Sequence, residues 1–361
     1  MAWPEHRRTL EIPARLEEAL NDAVAYHLET ELGDRGLLLT ADGLAAAEAE
    51  ADQWGARLLR SVIHRCYPIS EQGQALAFEF QSDRDAARLA TALAFGAVTA
   101  RVLSPSEHAP ESTSSVDLLC AIFNLGIGLV DGLCDQDAEI GEAVLGVVQG
   151  QDLINAAEEP RGRGWLRAVL PPRLADHTVA FTADIIETFF ETLHALRPDD
   201  AWLQYRRRLG AQLEAALEAE RQSVVRSPQG SARDLIDCSR LTSVLPFQII
   251  EALARGDHAA TDRSAGTLLG EAMWRIDDLV DLCDDARNGA LNGLLVVATE
   301  QTGGDVVAAL ERLLASTDLT DAACRAADSL LAGLQTAGAH RSRSFLSFIQ
   351  RYAGIAPREA S

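Results

Sequence analysis

Five aspartates stand inside an apolar stretch at residues 263–290, RSAGTLLGEAMWRIDDLVDLCDDARNGA: Asp277, Asp278, Asp281, Asp284 and Asp285. No other stretch restricts the fold as much. Leu268, Leu269, Met273, Ile276, Val280 and Leu282 recur near helical spacing, which predicts an amphipathic helix. Its apolar side has to be buried, yet its clustered carboxylates repel one another unless a counter-charge sits among them. Asp277, Asp281 and Asp285 are four residues apart, which places them on one helix face. Hard oxygen ligands gathered in this way suit Mg2+, which commonly binds through one or two protein carboxylates and the substrate's phosphates. The ordinary alternative is a solvated acidic face, and the apolar flanks speak against it.

The rest of the chain reads as helix after helix. Pro13 opens a helix over 14–32, and helices follow over 43–66 and 84–104, the latter with Asp83 at its cap position. Residues 116–136, VDLLCAIFNLGIGLVDGLCDQ, are apolar almost all round, as expected of a central helix. Further helices are expected over 141–158, 173–196, 201–226 and 233–256. The last of these should break where Thr242, Ser243 and Pro246 disturb its middle. Beyond the acidic helix come helices near 303–315 and 319–335, then a final one carrying Arg341, Arg343, Arg351 and Tyr352. There is no alternation of the kind a sheet needs and no repeat period. The expectation is an all-α fold: a single large helical bundle over 43–355, preceded by an arm and first helix over 1–42.

The apolar helix ends in a second acidic site, Asp131 and Asp135, with Asp137 just beyond. Two aspartates four apart near a helix end are common. They become informative only beside the 277–285 cluster. If the two helices face each other, carboxylates line opposite walls of one cavity and Mg2+ between them could clamp a diphosphate. Arginines would complete the clamp. An apolar interior below would suit a greasy allylic chain, with Phe123, Leu125, Leu129, Phe247 and Trp274 as candidate walls beside their plain reading as core.

Composition narrows the partners. Asp and Glu number 54 against 32 basic residues, a formal charge of -22, and this argues against nucleic-acid binding. Every basic side chain is arginine, so no lysine can hold phosphate or form a Schiff base. The six cysteines show no CxxC pair and read as small core fillers. With no apolar leader and no charge-free run long enough for a span, the expectation is a cytoplasmic enzyme without stable membrane insertion. A homodimer stays open.

These residues resemble the class I isoprenoid synthase superfamily, which comprises trans-prenyl diphosphate synthases and class I terpene cyclases. IDDLVDLCDD at 276–285 resembles the second aspartate-rich motif of the prenyl synthases, continuing through Arg287, Asn288 and Gly289, and LVDGLCDQ at 129–136 resembles the first. The likeness in helical layout spans roughly 45–355. It implies a site of about three Mg2+ ions held by Asp131, Asp135, Asp277, Asp278, Asp281 and Asp285, which ionises a prenyl diphosphate. It also implies a diphosphate-binding arginine on the 233–256 helix, for which Arg240 is the best match and Arg233 the runner-up. Arg351–Tyr352 resembles the Arg-Tyr pair found near the C-terminus of many cyclases.

The departures are specific. Gly132 stands where the first motif usually has its second aspartate. The Gly-Gly-Lys-Arg segment of chain-elongating members, their arginine pair after the first motif and their lysine on the broken helix are missing. The second motif also lacks the Asn, Ser/Thr, Glu pattern usual in bacterial cyclases. Losses at the second substrate's site favour a one-substrate terpene cyclase, a Mg2+-dependent lyase that releases diphosphate. The alternatives are a trans-prenyl diphosphate synthase or prenyl-coupling enzyme, and a non-catalytic partner subunit of such a synthase.

Overall fold

A computed structural model describes residues 10–66, 83–104, 114–136, 138–150, 153–170, 177–196, 202–224, 231–256, 264–338 and 342–357. Among these residues the regular structure is helical, with no β-strand. The helices are α1 (Ala14–Asp34), α2 (Ala41–Cys66), α3 (Asp83–Leu103), α4 (Ser115–Gln136), α5 (Ala138–Gly150), α6 (Leu153–Glu158), α7 (His177–Leu196), α8 (Leu203–Val224), α9 (Ala232–Arg255), α10 (Ala265–Val280), α11 (Leu282–Asn288), α12 (Gly293–Gln301), α13 (Val306–Ala315), α14 (Asp318–Ala337) and α15 (Ser342–Tyr352). They form two compact units. The first holds Met1–Leu44, Glu218–Gln248 and Ala260–Ser361, and the second holds Ala45–Leu217 and Ile249–Ala259. Both are all-α. The expected N-terminal segment therefore joins a unit drawn mainly from the C-terminal half.

In the first unit α10 packs along α14, and α14 also receives α1. Leu269, Ile276 and Leu279 of α10, Ala327 and Leu330 of α14, and Leu20 and Leu28 of α1 are all buried. Each such leucine or isoleucine contributes about 1.5–3 kcal/mol by leaving water. Gly270 lets α10 approach α9, because a Cβ there would stand 2.7 Å from the Val244 Cα.

α9 does not break. It runs through Pro246 from Ala232 to Arg255, with the Thr242 hydroxyl donating to the Ser239 carbonyl at 2.8 Å. Proline costs a helix about 3 kcal/mol. Burial of Val244, Phe247, Ile249 and Ile250 offsets that, at about 1.5–3 kcal/mol each. The acidic stretch, expected as one helix, divides at Asp281 into α10 and α11. α12 had no counterpart in the periodicity. Its start is the Asn292 side chain, which accepts from the N–H groups of Leu294 and Leu295 at 3.0 and 3.2 Å.

In the second unit α4 packs against α3, α5 and α7, the central place its all-round apolarity implies. α3 and α4 are long and apolar enough to cross a membrane by length and hydropathy alone. Their spans contain charged residues and are 50% and 61% buried, as ordinary core helices are. Residues 160–170 are tied to α7. The buried Glu187 carboxylate accepts from the N–H groups of Gly164, Leu166 and Arg167 at 2.6, 2.7 and 3.3 Å. Arg163 pairs with Glu191 at 2.9 Å.

Candidate functional site

The acidic site begins with a well-stopped helix. Ser264 caps α10 by accepting from the Thr267 N–H at 3.1 Å. Beyond Val280 the backbone at Asp281 turns to φ -93°, ψ 8°. The hydrogen bonds still step four residues, from Asp281 N–H to the Asp277 carbonyl at 2.9 Å and from Asp285 N–H to the Asp281 carbonyl at 2.7 Å. Asp277 and Asp281 therefore stay on one side of the helix, and Tyr352, the last residue of α15, meets them there. Its hydroxyl donates to Asp277 Oδ1 and, at 2.8 Å, to Asp281 Oδ2. The residue as a whole is 40% exposed, while its oxygen lies against the carboxylates. Withdrawal of that oxygen from water, then the charges of Asp277 and Asp281, push the phenol's pKa above its usual range, so it stays a donor.

Asp278 points the other way. It is 4% exposed. Its Oδ2 accepts from the Gly293 N–H at 3.1 Å, and its Oδ1 lies 3.5 Å from the Ser239 hydroxyl, which in turn accepts from Trp274 Nε1 at 3.0 Å. Burial pushes the Asp278 carboxyl well above the carboxylate range, the Gly293 N–H pulls it back, and the charges of Asp277 and Asp285 push it up again. Gly293 is required at this spot: a Cβ would stand 2.8 Å from Asp278 Oδ2 and 3.0 Å from the Trp274 ring.

Asp285 accepts from Asn292 Nδ2 at 2.9 Å, and the same amide nitrogen donates to the Asp278 carbonyl at 2.8 Å. Of the expected row of three carboxylates, Asp277 and Asp281 meet Tyr352 and Asp285 accepts from Asn292, while Asp278 is tied to Gly293. Among the described residues no three His, Cys, Asp or Glu side chains gather as a metal cluster. The pair itself suits a hard cation, since one oxygen from each carboxylate converges on a single point, the Tyr352 hydroxyl oxygen, and Mg2+ commonly takes only one or two protein carboxylates.

The arginines are placed unevenly. Arg240 Nε donates to Glu271, which precedes Asp277 on α10, and Arg275 pairs with the same carboxylate at 2.6 Å. Burial alone would raise the Glu271 carboxyl, but the bonds from Arg275 and Arg240 outweigh it and hold the group below its usual range. Arg233 is exposed and 4.0 Å from Asp237, and Arg351 is exposed beside Tyr352. Sequence reasoning missed Glu271, Ser239 and Asn292. Only Asn292 had a local signal, an asparagine directly before the apolar run GLLVVA.

In the second unit Asp131 is exposed near the end of α4, and the Asp135 side chain lies outside the described residues. A Cβ on Gly132 would meet nothing within 4 Å. Just before Asp131, α4 walls a cavity of about 50 Å³, bounded entirely by apolar residues that include Phe123, Gly126, Val130, Ile186, Phe189 and Phe190. This is smaller than the roughly 300–1,000 Å³ of a ligand pocket. Of the five expected wall residues, Phe123 lines it. Leu125 is buried in the core, Leu129 is half-buried, Phe247 packs edge-on to Phe345 with centroids 6.3 Å apart, and Trp274 binds Ser239.

No protein-family model matches the chain, and no curated protein matches it. Among solved structures, the crystal structure of polyprenyl synthetase from Streptomyces coelicolor A3(2) is similar at TM-score 0.38 and 15% identity, over 87% of this chain and 95% of that one. This likeness is broad but weak, and no residue role passes across it.

Proposed function

We propose that the chain is a Mg2+-dependent enzyme that ionises a linear prenyl diphosphate. The observation that carries this reading is that Asp277 and Asp281 each place an oxygen against the Tyr352 hydroxyl, a group able to reach an oxyanion. Asp277 and Asp281 would hold the cation, and Asp131 and Asp135 are retained from the sequence motif alone as a second carboxylate pair. Bound Mg2+ would supply positive charge to the departing diphosphate. The residues of this chain then have separate tasks. Asp278, Asn292 and Gly293 fix the direction of the carboxylate-bearing turn. Arg240 and Tyr352 are the groups assigned to bind the diphosphate's oxygens, Arg240 after loosening from Glu271.

Two outcomes for that cation are carried by different features. Cyclisation to a terpene hydrocarbon or alcohol, the first reading, rests on the absence of lysine and on the lack of arginine in residues 136–150 just after Asp135, which leaves little there to hold a second diphosphate. Chain elongation, the second, rests on the form of the 276–285 motif, which resembles that of the prenyl synthases. The test is incubation with Mg2+ and prenyl diphosphates of ten to twenty-five carbons, with and without isopentenyl diphosphate, read by product chromatography. Cyclic products without the second substrate support a cyclase, and a longer diphosphate with it supports a synthase. No metal-dependent diphosphate release from any of them sinks both. Release that starts only when a second subunit is added supports the partner-subunit alternative.

A further inference from the structure

We infer that His194 is a pH-sensitive clasp across the apolar cavity of the second unit: neutral, its imidazole joins three of the helices that wall the cavity, and a proton on it releases one of them. Its Nε2 lies 3.0 Å from the Ala156 carbonyl of α6, and its Nδ1 lies 3.3 Å from Nη1 of Arg206 on α8. These partners leave one neutral tautomer. A carbonyl only accepts, so Nε2 carries the hydrogen, and a guanidinium only donates, so Nδ1 offers its lone pair. The same three helices supply cavity walls: Leu153 from α6, Phe189 and Phe190 from α7, and Leu213 and Leu217 from α8. His194 stands four residues after Phe190, on the same face of α7. The clasp is independent of the proposed diphosphate chemistry.

Protonation breaks the arrangement on one side only. The bond to the Ala156 carbonyl survives in the imidazolium, because Nε2 still donates. Nδ1 gains a hydrogen and turns it toward a donor of like charge, so the α8 side is lost. Arg206 is buried, which leaves little water to screen the two charges. Near these groups Glu158 of α6 accepts from Arg207 Nη2 at 3.1 Å and also feels the charge of Arg206, Glu191 of α7 pairs with Arg163 at 2.9 Å, and Glu159 is exposed just beyond α6. Among the described residues no carboxylate bonds the ring, so none holds the added proton. Burial, opposed by the Ala156 carbonyl, and the charge of Arg206, opposed by the Glu159 backbone, keep the imidazole below its ordinary range. The clasp is therefore closed above the ordinary histidine value of about 6.5, and it opens as pH falls through the lower folded value.

The experiment is a magnetic-resonance titration of the full-length chain, its histidines isotope-labelled, from about pH 8 to about pH 5, for wild type, His194→Gln and Arg206→Gln. The ring signal missing from His194→Gln should show, in wild type, a neutral form with its hydrogen on Nε2 and a midpoint below the ordinary histidine value. Arg206→Gln keeps a donor and removes the charge, so it should move that midpoint upward. Nile red, a neutral apolar dye, should gain fluorescence as His194 titrates in wild type, and His194→Gln should lack that step. If His194→Gln does not fold, the signal is the one that Arg206→Gln moves, and tautomer and midpoint are still read on the unaltered chain. A neutral form with its hydrogen on Nδ1, or a midpoint at or above the ordinary value, would overturn the clasp. A dye step of equal size in wild type and His194→Gln would overturn its hold on the cavity.

Discussion

Asp278 accepts a hydrogen bond from the backbone N–H of Gly293 at 3.1 Å, and the two residues touch closely enough that no side chain fits on Gly293. The second aspartate of the acidic motif is therefore part of the scaffold that joins α10 to α12. Asp278→Ala leaves the Gly293 N–H buried without its acceptor and should lower stability by about 1–3 kcal/mol. Gly293→Ala overpacks the same spot and should cost about as much. Urea denaturation measures both. Mn2+ affinity should fall much further in Asp277→Ala than in Asp278→Ala, and the reverse order would return Asp278 to the ligand set.

Gly132 has open space where its Cβ would be. Gly132→Asp should therefore fold normally, with a stability change within about 1 kcal/mol, because replacing a helical glycine offsets aspartate's modest helix propensity. If Asp131 and Asp135 act in the proposed reaction, a third carboxylate in this motif should raise Mg2+-dependent diphosphate release. Thermal denaturation and a diphosphate assay check the two halves, and unchanged or slower release would show that this motif is not limiting.

Glu271 links pH to stability. Its folded pKa lies below the ordinary glutamate value because Arg275 and Arg240 favour the charged form despite burial. A depressed carboxyl contributes stability that is fully present above the unfolded pKa, about 4.3, and lost as pH falls through the folded pKa. Glu271→Gln should therefore cost about 1–3 kcal/mol near neutral pH, with the difference from wild type shrinking in acid. Melting temperatures from pH 7 down to about pH 3 follow this directly, and a difference that grows on acidification would contradict the assignment.

The cavity beside α4 offers a test of the apolar wall. A Cβ on Gly126 would sit 3.7 Å from Ile185, an ordinary contact. Gly126→Ala should stabilise the helix by roughly 0.5–1 kcal/mol while narrowing the cavity. If a prenyl chain enters there, the longest accepted substrate should shorten or its KM rise. Greater stability with an unchanged substrate range would place the chain elsewhere.

Helical periodicity alone determined the all-α class, because leucine and alanine spacing states which faces must be buried whatever they pack against. It located most of the long helices and the burial of α4. The composition of 263–290 likewise marked Asp277 and Asp281 as unusual before any partner was known. Pro246 misled, because a proline's penalty is local while the burial that outweighs it comes from packing. The direction of each aspartate was also beyond the sequence. Four-residue spacing predicted one row through Asp285, and the backbone bonds keep that step through Asp281, but that Asn292 donates to Asp285 and Gly293 to Asp278 could not be read from it. Only the tertiary structure decided that Tyr352 stands over Asp277 and Asp281, and that Glu271 holds Arg240. Contacts across 75 and 31 positions depend on how helices are brought together, and no local pattern of residues encodes that.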